Sequence, residues 1–195
     1  MTSKSDKTEL TERFETAFQY AKRLHSRQMR KGTNIPYLAH LLGVTALVIE
    51  DGGDEDQAIA ALLHDAVEDQ GGMRILEEIR ELFGDRVAFI VEGCTDSFQT
   101  PKPAWKIRKE NYLAHLSKAN EDVRRVSLAD KLHNARSILG DLIKDSDLVW
   151  KRFNGGKEGT LWYYQSLLRI FEQNPKSPMI DELRWTLERI KQMIE

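Results

Sequence analysis

Apolar residues in this chain recur every three to four positions almost from end to end, a period that fits helices. Leu10, Phe14, Ala17, Phe18, Ala21 and Leu24 share one face, so the spacing predicts a first helix over about 8–29, capped by Thr8. Pro36 suits the first turn of a second helix that carries Leu38, Leu41, Leu42, Val44, Thr45 and Val48 and stops at Gly52-Gly53. Asp54 caps a third segment, EDQAIAALLHDAVED, which runs to Gly71-Gly72. Further helical stripes run from Ile75 to Leu82, from Val87 to Val91, over 104–119, and from Val123 to Leu142. Two more follow the Phe153-Asn154-Gly155-Gly156 turn: LWYYQSLLRIF, and one that starts at Ser177-Pro178. RVAFIV (86–91) could be a strand in isolation, but its neighbours are helical, and no hairpin dipeptide is flanked by alternating runs. The expected fold class is all-α: a single-domain bundle of about eight to ten helices. The domain spans 1–195, with a core over about 8–145 and helices of 146–195 packed on it.

Charge narrows the partners. Lys plus Arg is 29 and Asp plus Glu is 31, a net charge of -2. That excludes a generally basic nucleic-acid coat and gives no support for a polybasic membrane binder. One cysteine, Cys94, excludes an intramolecular disulfide framework and suits a reducing compartment. No apolar run approaches the roughly 18–20 residues of a membrane span. The segment MTSKSDKTELTER has no apolar core of a secretory signal. The expectation is a cytoplasmic globular protein with no nucleic-acid and no membrane partner.

Four residues of metal-ligand type stand out: His40, His64, Asp65 and Asp130. A His-Asp pair alone is a weak signal, but this one follows Ala60-Ala61-Leu62-Leu63, on a helix expected to be deeply buried. Unpaired Asp and His are costly there, and a metal ion offsets that cost. On one continuous helix the two side chains lie about 100° apart, so both can reach an ion beside it. Glu68 and Asp69 lie one turn further on. Asp130 sits in VSLADKLHNARSIL with Asn134 and Ser137 on its face, and His40 closes PYLAH. Mixed imidazole and carboxylate ligands suit a divalent transition metal, and a structural zinc site would favour cysteine. The plain alternative is a set of internal hydrogen bonds in a helical bundle.

Other groups carry weaker signals. Lys102, Lys106, Arg108 and Lys109 place four cations in eight residues, either around phosphates or as a solvated helix start. His133 follows Asp130 by three residues, close enough to support a metal ligand, whereas His25 and His115 read as packing or surface positions. Lys151, Arg152 and Lys157 flank a glycine turn. Trp162-Tyr163-Tyr164 reads as core before base-stacking, and Cys94 as a small buried hydrophobe.

The order His40, His64-Asp65, Asp130 resembles the H…HD…D signature of HD-domain metal-dependent phosphohydrolases. The stretches RKGTNIPYLAH (30–40), AALLHDAVED (60–69), FGDRVAFIVEGCTD (83–96) and LADKLHNARS (128–137) are most similar to the hydrolase domain of the RelA/SpoT homologues, especially small alarmone hydrolases. The resemblance implies an all-helical bundle that uses one divalent ion, Mn2+, to remove pyrophosphate from the 3′ position of (p)ppGpp. It implies His40, His64, Asp65 and Asp130 as metal ligands and Glu68-Asp69 as the pair that activates water. By the same resemblance Arg30, Lys31, Asn134 and Ser137 would contact the nucleotide; apart from it, the 102–109 cation cluster offers Lys106 as a further phosphate contact. Other readings are a (p)ppApp or nucleoside monophosphate hydrolase, and a non-catalytic nucleotide-binding metal protein.

Overall fold

The computed structural model describes residues 8–99, 101–173 and 177–194. Helices follow one another as α1 (Glu12–Leu24), α2 (Leu38–Glu50), α3 (Glu55–Leu63), α4 (Ala66–Gln70), α5 (Met73–Phe83), α6 (Asp85–Cys94), α7 (Trp105–Leu116) and α8 (Glu121–Asp145). A 3-10 turn (Ser146–Arg152) leads to α9 (Gly156–Phe171) and α10 (Pro178–Ile194). Among the described residues no strand forms, only an isolated bridge between Met29 and Pro36. The all-α expectation holds, and RVAFIV lies within α6.

α8 is the axis of the bundle. It packs against α2, α3, α6 and α10. Val126, Leu132 and Ala135 on its inner face are fully excluded from solvent. A Leu buried to this degree contributes about 1.5–3 kcal/mol relative to an exposed one. α10 packs against α8, and its Leu183 and Ile190 join the same hydrophobic cluster as the buried residues of α1–α9. Ser177 accepts from the Met179 amide and donates to Asp51, tying the start of α10 to the end of α2.

Two boundaries differ from the sequence reading. The first helix runs over 12–24, not 8–29, and its cap is Thr11, whose hydroxyl accepts from the Arg13 amide. Thr8 donates to the Gly53 carbonyl instead. Beyond Leu24 the backbone closes a loop on itself, Tyr37 N–H on Gln28 O at 2.9 Å and Arg30 N–H on Ile35 O at 2.8 Å. Within the expected span the Gln28 amide, which a continuing helix would bond to Leu24, instead meets the His25 carbonyl at 3.0 Å.

The third segment is also not one helix. Asp54 and Gln57 form a reciprocal cap at its start, as the sequence indicates. The helix then breaks at His64-Asp65, between α3 and α4. On a continuous helix these neighbours would diverge by about 100°. At the break both residues keep right-handed helical angles, and the His64 Nε2 still comes within 3.0 Å of Asp65 Oδ2.

Candidate active site

Four side chains from three places in the chain converge. α2 supplies His40, the α3–α4 turn His64 and Asp65, and α8 Asp130. The His64 Nε2 lies 3.0 Å from Asp65 Oδ2 and 3.7 Å from Asp130 Oδ1. The His40 Nε2 lies 3.2 Å from Asp130 Oδ1 and 3.6 Å from Asp65 Oδ2. Both imidazoles are buried, and neither Nε2 has a hydrogen-bond partner. The His64 Nδ1 is 2.8 Å from the Ala61 carbonyl, so it carries a proton. Nε2 is thus the nitrogen that faces the carboxylates; burial opposes a charge on this ring, but Asp65 and Asp130 hold its pKa well above the ordinary value, so an ion bound at Nε2 would displace a proton. His40, His64 and Asp65 are compact enough to hold one metal ion. Two orphaned imidazole nitrogens facing two carboxylates fit a divalent transition metal.

Neighbouring groups fix these side chains. The Tyr37 hydroxyl donates to Asp65 Oδ2 at 2.5 Å. Lys131 Nζ donates to Asp130 Oδ2, and Asn134 to Asp130 Oδ1. Burial opposes the Asp65 charge, but His64 holds this carboxyl well below the usual carboxylate range. Asp130 is likewise held down against its burial, chiefly by Lys131. The His40 Nδ1 is 2.9 Å from the His133 Nδ1. Burial, then the charges of His40 and Arg30, pushes His133 down to about 4.

The expected acidic pair shares a cavity of about 170 Å³ with Asp65 and Asp130. Asp69 is one turn past Asp65, its amide bonded to the Asp65 carbonyl at 3.0 Å. Burial first, then the Asp65 charge, pushes its carboxyl up to about 6. Gln28 donates to Asp69 Oδ2 at 2.8 Å and is itself held by Gln70. Glu68 is engaged differently, by Lys102 Nζ at 2.7 Å and the Asp96 amide at 3.3 Å.

A second cavity of about 490 Å³ adjoins the first, with Tyr37, Lys109, Lys131, Asn134 and Tyr163 lining both. Arg30, Lys31, Asn134 and Ser137 line the larger one. The Arg30 guanidinium donates to Asn134 Oδ1 at 2.9 Å and to Ser137 Oγ at 3.2 Å. Lys106 is absent from the lining. Its ammonium lies 2.8 Å from the centre of the Trp162 ring and 3.6 Å from Glu110. Lys109, one turn along α7, faces the cavity in its place.

Sequence reasoning singled out neither Tyr37 nor Lys131 nor Gln28. Lys131 and Tyr37 carry a findable signal, since each adjoins a marked residue or motif: LADK and PYLAH. Gln28 lies in a loop whose closure the helical period does not reveal.

A sequence profile described as HD domain matches residues 17–160. The chain belongs to the HD domain family. This HD domain is 39% identical over 130 residues to an Aquifex aeolicus protein named guanosine-3′,5′-bis(diphosphate) 3′-pyrophosphohydrolase, covering 65% of this chain and 18% of that one. It is 39% identical over 125 residues to the enzyme of that name called MESH1 in Xenopus tropicalis, covering 63% of this chain and 67% of that one. The matched part is thus under a fifth of the first relative and about two thirds of the second. Among solved structures, a metazoan orthologue of SpoT described as hydrolysing ppGpp superposes with TM-score 0.77 at 23% identity, over 96% of this chain and 99% of that one. At that identity the likeness is one of fold. A Listeria monocytogenes protein superposes with TM-score 0.69 at 30% identity, over 78% and 99% of the two chains.

Proposed function

We propose that this HD domain is a Mn2+-dependent phosphohydrolase that removes the 3′-pyrophosphate of (p)ppGpp-type alarmones. The observation that carries the reading is the pair of orphaned, buried Nε2 atoms of His40 and His64 facing Asp65 and Asp130, with the Asp69 carboxyl in the same cavity. His40, His64, Asp65 and Asp130 would hold the ion. A divalent ion there supplies Lewis acidity, making water more acidic and polarising a phosphoryl oxygen. The names of the 39% identical relatives supply the substrate class. One hydrophobic core from α1 to α10 supports a single domain, and one buried free thiol suits the cytoplasm.

In this reading, the water oxygen bonds to the phosphorus attached to the 3′ oxygen, and the P–O3′ bond breaks. The hydroxyl joins the departing pyrophosphate and the other proton ends on the 3′ oxygen, so atoms balance. Asp69 takes the proton of the attacking water, because its raised pKa of about 6 makes it a stronger base than an ordinary carboxylate and leaves it ionised at neutral pH. Glu68 orients the same water while holding Lys102. Lys109 and Lys131, at the junction of the two cavities, neutralise the pyrophosphate. Arg30, Lys31, Asn134 and Ser137 hold the nucleoside side. The test is incubation with ppGpp, ppApp and plain mono- and triphosphates in Mn2+, scored for pyrophosphate. Release from ppGpp is expected. Release from ppApp alone would make the adenine alarmone the substrate, and tight binding with every nucleotide intact would make the chain a binder.

A further inference from the structure

We infer that His133 is a positioning residue of the metal centre: it accepts a hydrogen bond from Nδ1 of His40 and thereby keeps the His40 Nε2 bare for the ion. The inference rests on the metal reading above. The two Nδ1 atoms are 2.9 Å apart, so one proton lies between them. If His133 carried it, a neutral His40 ring would have its proton on Nε2, aimed at Asp130, where the ion must bind. Only with the proton on His40 Nδ1 does the ring present a lone pair to the centre. His64 solves the same problem with the backbone carbonyl of Ala61. The acceptor for His40 comes instead from a side chain on α8.

An independent feature supports the contact. Gly43 follows His40 by three residues in α2. A Cβ at Gly43 would lie 2.3 Å from both Cδ2 and Nε2 of His133. No side chain fits between the two helices there. Glycine is unfavourable inside a helix, and the close approach of the His133 ring accounts for this one. α2 thus carries both the ligand and the gap that admits the ligand's partner.

The experiment uses the whole chain, labelled with 15N in histidine. In the metal-free protein, a 15N–15N coupling across the hydrogen bond should link His40 Nδ1 and His133 Nδ1, with the proton directly bonded to His40. No coupling, or a proton bonded to His133, overturns the inference whatever the metal does. Mn2+ affinity is then measured by calorimetry on the same metal-free protein. His133→Leu and Gly43→Ala should each weaken it by about 10-fold or more, the effect expected for losing a ligand's outer partner. His133→Asn has the shape of the leucine variant but keeps an acceptor, so it should stay within about threefold of wild type. Equal losses in the Leu and Asn variants would reduce His133 to packing and overturn the inference. If the coupling is present but wild type takes up no divalent ion, the metal reading falls, and the positioning role with it, while the proton assignment stands.

Discussion

In the metal-free protein the Asp69 carboxyl should titrate near 6, because burial and the Asp65 charge both disfavour its ionised form. The sign follows directly. The native state binds this proton more tightly than the unfolded chain, so the group favours folding at low pH, and that contribution is lost as pH rises to about 6. Carboxyl chemical shifts against pH measure it; a midpoint near the ordinary aspartate value would remove the basis for making Asp69 the base. Asp69→Asn keeps the shape and should lower kcat by about 10²–10⁴-fold while sparing metal content. Arg30→Ala should act elsewhere. Its guanidinium ties the 28–37 loop to Asn134 and Ser137, so KM should rise, with a salt dependence, while kcat changes less. An unchanged KM would move nucleotide binding away from this wall. His64, Asp65 and Asp130 were legible in the sequence because a charged or imidazole group in an apolar helix needs a partner. Lys106 was not separable from Lys109 by composition, since four cations in eight residues do not say which face meets the cavity.

Helical period identified the elements well and their ends less well. It cannot see that the third segment must break at His64-Asp65, because Ala66 and Val67 continue the apolar stripe. The break falls where His64 and Asp65 meet His40 and Asp130, a tertiary contact that the period does not encode. The first helix overran for the same kind of reason, since the Gln28 amide turns back to the His25 carbonyl and the Gln28 carbonyl accepts from Tyr37 across the loop. Tertiary contact also explains the turn before α9. A Cβ at Gly155 would lie 2.6 Å from the Trp105 ring, whereas its φ of -83° suits any residue. Gly155→Ala should therefore cost about 1–3 kcal/mol through displacement of Trp105 rather than backbone strain. Trp105 lines the larger cavity, so the variant should raise KM and leave metal affinity intact. Wild-type KM with normal stability would mean that this wall of the cavity yields without consequence.

At the scale of the whole molecule, metal content and stability should be linked. His40, His64 and Asp130 are almost inaccessible to water, and they join α2, the α3–α4 turn and α8. An ion held by these elements binds the native chain and not the unfolded one, because unfolding scatters its ligands across more than 90 positions of sequence. Free ion at a hundred times its dissociation constant then stabilises the fold by about 2.7 kcal/mol. For a chain of this length that amounts to a rise in Tm of roughly 5–10 °C. Thermal unfolding with excess Mn2+ and with a chelator measures the difference directly. His64→Ala should melt at the same temperature in both conditions, since its site has lost a ligand. Asp69→Asn should keep the wild-type difference, because its carboxylate is assigned to the water and not to the ion. Equal melting of the wild type with and without metal would deny the ion its place at the centre of the bundle. Loss of the difference in Asp69→Asn would make Asp69 a ligand and pass the proton-accepting role to Glu68.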